Sequence, residues 1–172
     1  MELHDGSLTL RPWREEDAPA IVAACRDPEI LRWLPRVPRP YTLEDAWAFI
    51  LDGPDGPHSF AIDEDGRLAG SIAMRVDEFN ASGSVGYWCA PEARGRGVVT
   101  RALRLLSRYG FDELGLARLE LVTDPSNAAS QRVAEKVGFR REGVLRSHMR
   151  HPDGRRRDSV MFSLLPGELF GP

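Results

Sequence analysis

The sequence predicts one mixed α/β domain over residues 1–172. Three observations predict it. Apolar residues recur at helical spacing near both ends of the chain, but at alternate positions from Ser59 to Ala90. A β-like run, a glycine turn and a helix follow one another from Ser84 to Tyr109. No internal repeat, low-complexity tract or linker divides the chain, and 172 residues suit a single core.

Leu8 and Leu10 alternate in LTLRPW, which reads as a short strand. Ala18, Ile21, Val22 and Cys25 mark one face of a helix. Glu15, Glu16 and Asp17 suit the positive end of that helix, and Pro19 fits only near its start. DPEILRWLP allows one or two more turns before the proline-rich loop PRVPRPY. Thr42 with Asp45 resembles a capping box ahead of Ala46, Phe49 and Ile50, and DGPDGP ends that helix. SFAID and RLAGSIAMRV then form a hairpin turning at Asp65-Gly66. NASG makes the next turn, SVGYWCA is a further strand, and Pro91 stops it. After the glycine turn, Val99, Ala102, Leu103, Leu106 and Tyr109 share a helix face, with Gly115 as the C-terminal cap. ARLELVT is a buried strand, and Asn127 to Val137 is a helix stopped by Gly138. FRREGVLRS and DSVMFSLL pair as strands across the Asp153-Gly154 turn.

Hydrophobic residues at 42% and charged residues at 28% are ordinary for a globular protein. A net charge of −3 gives no global pull towards nucleic acid or an anionic membrane. Cys25 and Cys89 match no zinc or redox spacing and read as free thiols of a reducing compartment. MELHDGSLTL has neither the basic nor the apolar region of a signal peptide, and no apolar run is long enough to span a membrane. The expected location is the cytoplasm.

The chemistry concentrates in PEARGRGVVTRAL, residues 91–103. A glycine-rich turn from strand to helix aims backbone N–H groups at an anion. A P-loop would need a lysine after the second glycine, where Val98-Val99-Thr100 stands instead. The dinucleotide fingerprint matches Gly95 and Gly97, but Thr100 replaces its third glycine. Asp124 falls near the distance of a ribose-binding acid, whereas the antiparallel hairpin upstream disagrees with a parallel βαβ start. A dinucleotide-binding oxidoreductase therefore stays a distant alternative, and coenzyme A is the third ligand class.

Several segments together carry a resemblance: Arg94-Gly95-Arg96-Gly97-Val98-Val99 with Thr100, SNAASQRVAEKVGFRREGVLR, the opening LTLRPWREEDAPAI and the ending RDSVMFSLL. They resemble the GCN5-related N-acetyltransferase (GNAT) superfamily, and within it the group that acetylates the N-terminal alanine or serine of ribosomal proteins and many small amines. Its pyrophosphate motif is Gln/Arg-x-x-Gly-x-Gly/Ala. Val99 departs from the final Gly/Ala, which moves the pyrophosphate outward unless the side chain turns aside, and Arg101 stands where the group often carries Glu.

The likeness covers nearly the whole chain. It implies one GNAT domain with a mixed, mostly antiparallel sheet of about six to seven strands, flanked by about four helices and splayed between the fourth and fifth strands. It also implies acetyl-CoA as co-substrate, no metal, and direct attack of an amine on the thioester. SVGYWCA would splay from LELVT, and the backbone of Trp88, Cys89 and Ala90 would pair with the pantetheine arm, one N–H polarising the thioester carbonyl. Gly95, Arg96, Gly97, Val98, Val99 and Thr100 would cradle the pyrophosphate. Arg94, Arg96 or Arg101 would pair with the 3′-phosphate. Asn127 would hold pantetheine, and Ser130 would act as general acid to the leaving sulfur. The residues alone leave another reading open, since Asn127 suits a helix N-cap and Ser130 its third position. Cys89 reads as a buried strand thiol rather than a nucleophile, having no histidine near it in sequence.

The glutamate that some members carry beyond the Glu-Gly pair has no counterpart in VLRSHMRH. His148 is the candidate base, with His151, Asp77, Glu78 and Glu142 as alternatives. An α-amine of pKa near ~8 costs only about 1.4 kcal/mol to deprotonate at pH 7, against about 4.6 kcal/mol for a lysine. A weak base therefore favours low-pKa acceptors. The acceptor site is expected between the N-terminal helices and the last hairpin, lined by Trp33, Leu34 and Tyr41, which equally suit a hydrophobic seam. RSHMRHPDGRRR is locally basic and suits an acidic peptide, an rRNA surface, a carboxylated acyl group or plain solvation. The expected function is acyl-CoA-dependent N-acyl transfer, most simply of acetyl, to a protein N-terminus or small-molecule amine. The expected protein is a monomer or homodimer with no membrane partner and no strong nucleic-acid signal. A non-catalytic acyl-CoA-binding or ribosome-associated module is the alternative.

Overall fold

The segments of period two become strands and those of period 3.6 become helices, in a computed structural model that describes residues 1–53 and 56–171. One open sheet holds eight strands: β1 (Leu3–Asp5), β2 (Leu8–Arg11), β3 (Ser59–Glu64), β4 (Arg67–Asp77), β5 (Ser82–Cys89), β6 (Arg118–Thr123), β7 (Arg140–Arg150) and β8 (Arg156–Leu164). Their spatial order is β1-β2-β3-β4-β5-β6-β8-β7. Strands β5 and β6 run parallel, and the other pairs are antiparallel. The helices are α1 (Ala18–Ala24), α2 (Pro28–Trp33), α3 (Leu43–Asp52), α4 (Val98–Asp112) and α5 (Ala128–Val137). No helix of the described residues is long and apolar enough to cross a membrane.

Both counts exceed expectation. Leu3–Asp5 carries no alternation but pairs with β2, Leu3 facing Leu10, so the sheet gains a first strand. PEILRW is a helix in its own right, with Pro28 in its first turn and the Asp27 carboxylate accepting from Ile30 N at 3.0 Å. Glu15–Asp17 forms a separate 3-10 turn before α1. Elsewhere the local signals hold. Thr42 and Asp45 close a reciprocal capping box, and Asp65-Gly66 turns the β3–β4 hairpin with positive φ at both residues. The cap of α4 corrects the expectation: the helix ends at Asp112 with Glu113, not Gly115, as its C-cap, and Gly115 instead turns the chain towards β6 as Leu116 N donates back to Gly110 O at 3.0 Å. Pro54 and Asp55, within the breaker after α3, lie outside the described residues.

Two cores hold the sheet. Helices α4 and α5 cover one face, where Val98, Ala102, Leu103, Leu106 and Val137 meet Leu10, Ile72, Met74, Leu119 and Phe162. Helices α1 and α3 build the second around Ile21, Val22, Cys25, Tyr41 and Ala46, with Leu68 of β4 packed against it. A buried ion pair joins the N-terminal segment to the sheet. Arg11 on β2 grips Asp17 through two bonds of 2.8 Å, and its Nε reaches Asp63 of β3 at 2.8 Å. This charge-assisted fork fixes where the turn leading into α1 lies relative to β3.

Candidate active site

The sheet opens in its middle. β5 pairs with β6 only from Ser82 to Val85, opposite Arg118 to Leu121. Beyond that point β5 follows β4 as far as Cys89 opposite Gly70, while β6 follows β8 to Thr123 opposite Val160. The expected segments therefore part, as β5 and β6 in a sheet with one strand more than expected. Backbone groups alternate sides along a strand. Ala90 N–H donates to Ala69 O at 2.9 Å, so Ala90 and, two residues earlier, Trp88 turn their backbone towards β4. Tyr87 and Cys89 turn theirs to the open edge. Of the expected trio only Cys89 offers backbone to the slot, and Tyr87 is the neighbour that the sequence reading missed.

The glycine turn stands where β5 ends. Gly95 and Gly97 have φ of +75° and +77°, and a Cβ on either would meet nothing within 4 Å. Gly97 is the N-cap of α4 with no side-chain cap, and the first intrahelical bond runs from Arg101 N to Gly97 O at 3.0 Å. The N–H groups of Val98, Val99 and Thr100 precede it, at the positive end of a helix of 15 residues. Val99 is 7% exposed, so its side chain is buried rather than open to solvent beside the turn. The arginines are less free than their number suggests. Arg94 is bonded to Asp27 and lies 3.2 Å from Glu29 on α2, while Arg96 and Arg101 share the buried Glu64 of β3. Three carboxylates thus meet three arginines, and the attraction left for an anion comes chiefly from backbone N–H groups. A pyrophosphate fits this open, uncapped turn.

Helix α5 starts on the other side of the opening, just after β6. Asn127 Oδ1 accepts from Ser130 N at 3.0 Å, the helix N-cap that its residue type suits. The Ser130 hydroxyl lies 3.0 Å from the phenol of Tyr87, which also donates to Ser130 O at 3.3 Å. This bond spans the opening, from the free edge of β5 to the first turn of α5. Burial pushes the Tyr87 phenol up to about 12, against a smaller pull from Ser130, so it stays protonated. Burial likewise pushes the Cys89 thiol up to about 11, which leaves it a poor nucleophile at neutral pH. A description of the acetyltransferase (GNAT) domain matches residues 7–140, the stretch that contains the opening, the turn and Ser130. The chain belongs to the GNAT acetyltransferase family.

Relatives of this GNAT acetyltransferase bear amine-acetylating names. YdaF of Bacillus subtilis, named for ribosomal N-acetylation, is 38% identical over 62% of this chain and 58% of its own, so the chain spans under two thirds of that protein. The spermidine N(1)-acetyltransferase of Escherichia coli is 27% identical over 81% of this chain and 76% of its own. The structure of Mycobacterium smegmatis RimJ in complex with CoA-disulfide superposes with a TM-score of 0.83 at 29% identity, covering 98% of this chain and 87% of the other. The protein is an N-acetyltransferase of this family.

The candidate bases of this GNAT protein separate by geometry. His148 follows Ser147, whose φ of +53° marks an irregularity in β7, and its Nδ1 lies 3.1 Å from Ser159 Oγ. Val160 pairs with Thr123 at the end of β6, so Ser159 lies level with that end, and His148 on the edge strand β7 stands one strand further from the opening. Glu142 is held at about 2 by two bonds from Arg118 and one from Ser163, and Asp77 is held below its ordinary value by Asn80. Neither is poised to take a proton at neutral pH. Glu78 lies beyond β4 with Pro57 and His58 around a separate cavity of about 680 Å³. His151 borders a cavity of about 480 Å³ between the α2–α3 loop and the β7–β8 turn, together with Arg36, Arg39, Asp153 and Arg155. Trp33 ends α2 and Leu34 caps it, just before this cavity, and Arg32 stacks 4.5 Å above the Trp33 ring. Tyr41 is 7% exposed in the second core, with its hydroxyl 3.4 Å from Asp45 O, a packing position.

Proposed function

We propose that this N-acetyltransferase acylates an α-amine that carries nearby carboxylate groups, such as an acidic peptide N-terminus or an amino-acid-like amine. The observation that carries this reading is the lining of the cavity between the α2–α3 loop and the β7–β8 turn. Arg36, Arg39 and Arg155 line it, and Asp153 already pairs with Arg155 at 2.7 Å. Such a lining attracts carboxylates and opposes a polycation like spermidine. Acetyl-CoA supplies the acyl thioester that the amine attacks and the thiol that departs. The chain supplies the rest. The N–H groups of Val98 to Thr100 hold the pyrophosphate, the backbone of Tyr87 and Cys89 lines up the pantetheine arm, and Asn127 borders it. Ser130 Oγ donates to the departing sulfur, and His148 Nε2, level with the end of β6, takes the amine proton through water. An α-amine suits this weak base, since about a tenth of it is neutral at pH 7. One domain, residues 1–172, carries the whole reaction in this reading, and its free thiols Cys25 and Cys89 fit the cytoplasm.

The test is thiol release from acetyl-CoA across N-terminal peptides that differ only in charge at the second and third positions, with spermidine beside them. Acidic peptides should give kcat/KM about tenfold or more above basic ones, a gap of about 1.4 kcal/mol that Arg36→Ala with Arg39→Ala narrows. Equal rates on acidic and basic peptides, or a preference for spermidine, would overturn the acceptor assignment.

A further inference from the structure

We propose that Tyr87 is a positioning residue that aims the Ser130 hydroxyl at the departing sulfur, so that the leaving thiolate is stabilised by hydrogen bonding from a Tyr87–Ser130 pair bridging the opening. The proposal rests on the reading above, in which Ser130 faces the leaving thiol. Its basis is the contact of 3.0 Å between the two hydroxyls and the second contact of 3.3 Å to Ser130 O. A serine hydroxyl rotates freely and carries one hydrogen, so by itself it has no reason to point at sulfur. Tyr87 gives it one.

The Tyr87 hydrogen has two acceptors within reach, the carbonyl and the hydroxyl oxygen of Ser130. When it donates to Oγ, the Ser130 hydrogen must turn elsewhere, and the slot is the open direction. A donor bonded to the serine oxygen also polarises its O–H, so the two bonds strengthen one another. No net proton transfer is needed. The carbon–sulfur bond breaks, its electron pair stays on sulfur, and a thiolate with an ordinary pKa near ~8.5 leaves hydrogen-bonded to Ser130 Oγ. Solvent protonates it after release. The buried phenol is a far weaker acid than that thiol, so Tyr87 donates its hydrogen bond without losing its proton. Both partners sit on rigid backbone, Tyr87 in β5 and Ser130 in the capped first turn of α5. The pair therefore also fixes how wide the slot stands at this level.

Tyr87→Phe keeps the ring and removes only the hydroxyl. Kcat on an accepted amine should fall about tenfold, the size of one hydrogen bond, with KM for acetyl-CoA within about twofold. Ser130→Ala should fall further, and adding Tyr87→Phe to it should cost nothing more. Binding supplies a readout independent of turnover. By calorimetry at pH 8, wild type should bind coenzyme A more tightly than its desulfo analogue, and both single variants should lose that difference. Fluorotyrosine at position 87 keeps shape and donor, should retain both signatures, and serves if Tyr87→Phe folds poorly. Wild-type kcat and an intact thiol preference in folded Tyr87→Phe, or full additivity in the double variant, would overturn the pair. If wild type turns over none of the amines, the acceptor reading fails, while the binding comparison still decides the pair.

Discussion

Asn127 and Ser130 share one helix turn, yet truncating each should harm the enzyme differently. The cap bond runs from Ser130 N to Asn127 Oδ1 at 3.0 Å. Asn127→Ala should therefore cost about 1 kcal/mol of stability and weaken acetyl-CoA binding in ground and transition states alike. Ser130→Ala keeps its main-chain N–H, and with it the cap. It should cost kcat about tenfold to a thousandfold and leave acetyl-CoA affinity nearly intact. Steady-state kinetics on one amine, with calorimetry for the coenzyme, separate the two outcomes. A Ser130→Ala enzyme at wild-type kcat would remove the acid from the mechanism. Both residues were legible in the sequence, because capping is a local rule with a local spacing. Tyr87 was not. Its importance depends on which face of β5 meets α5, and that needs the register against β4, a contact between distant parts of the chain. The same limit hid Asp27, Glu29 and Glu64, whose carboxylates neutralise arginines that the sequence shows bare.

At the scale of elements, the Arg11 fork sets the acid stability of the fold. Burial works to raise the Asp17 carboxyl, but hydrogen bonds from Arg11 and from Arg14 N, with the Arg11 charge, together hold it below its ordinary value. A depressed carboxyl binds protons more readily in the unfolded chain. Its contribution is therefore full above about pH 4, the ordinary aspartate range, and drains away as pH falls through the lower folded value. Asp17→Asn should cost about 1–3 kcal/mol at pH 7, since Arg11 keeps Asp63 as a counter-charge but loses its charge-assisted fork to Asp17. The variant's melting temperature should also depend less on pH in the acid limb, as differential scanning calorimetry from pH 2 to 7 would show. An unchanged melting temperature at pH 7 would deny the fork its structural role. The elements themselves were largely readable, from the α4 stripe to the Thr42 capping box. The one that escaped, β1, is a three-residue segment without alternation that only its pairing with β2 makes a strand, while α2 is the one or two turns read in DPEILRWLP standing as a helix of its own.

For the whole molecule, the coenzyme assignment predicts that acetyl-CoA raises the melting temperature and that NADH leaves it unchanged. At 100 times its Kd the ligand adds about 2.7 kcal/mol. Gly97→Asp places a side chain in open space but at a left-handed φ of +77°, a strain of about 1–2 kcal/mol, so it should melt lower yet still fold, and should lose the shift, since a carboxylate would face the pyrophosphate. Stabilisation by NADH without any by acetyl-CoA would reverse the assignment. The opened sheet carries a consequence of its own. Among the described residues, backbone bonds join strands β5 and β6 along a short seam from Ala81, opposite Ala117, to Val85, with α4 packed across the join. Two half-sheets on so short a seam are natural units of separate opening, each able to lose its amide protection without the other. A pantetheine arm laid into the gap, as proposed above, would bond to the free edge of one half and pack beside the other, merging two cooperative units into one. The acyl donor is then also a structural member, and how cooperatively the protein unfolds becomes a measure of how well the cell keeps it charged.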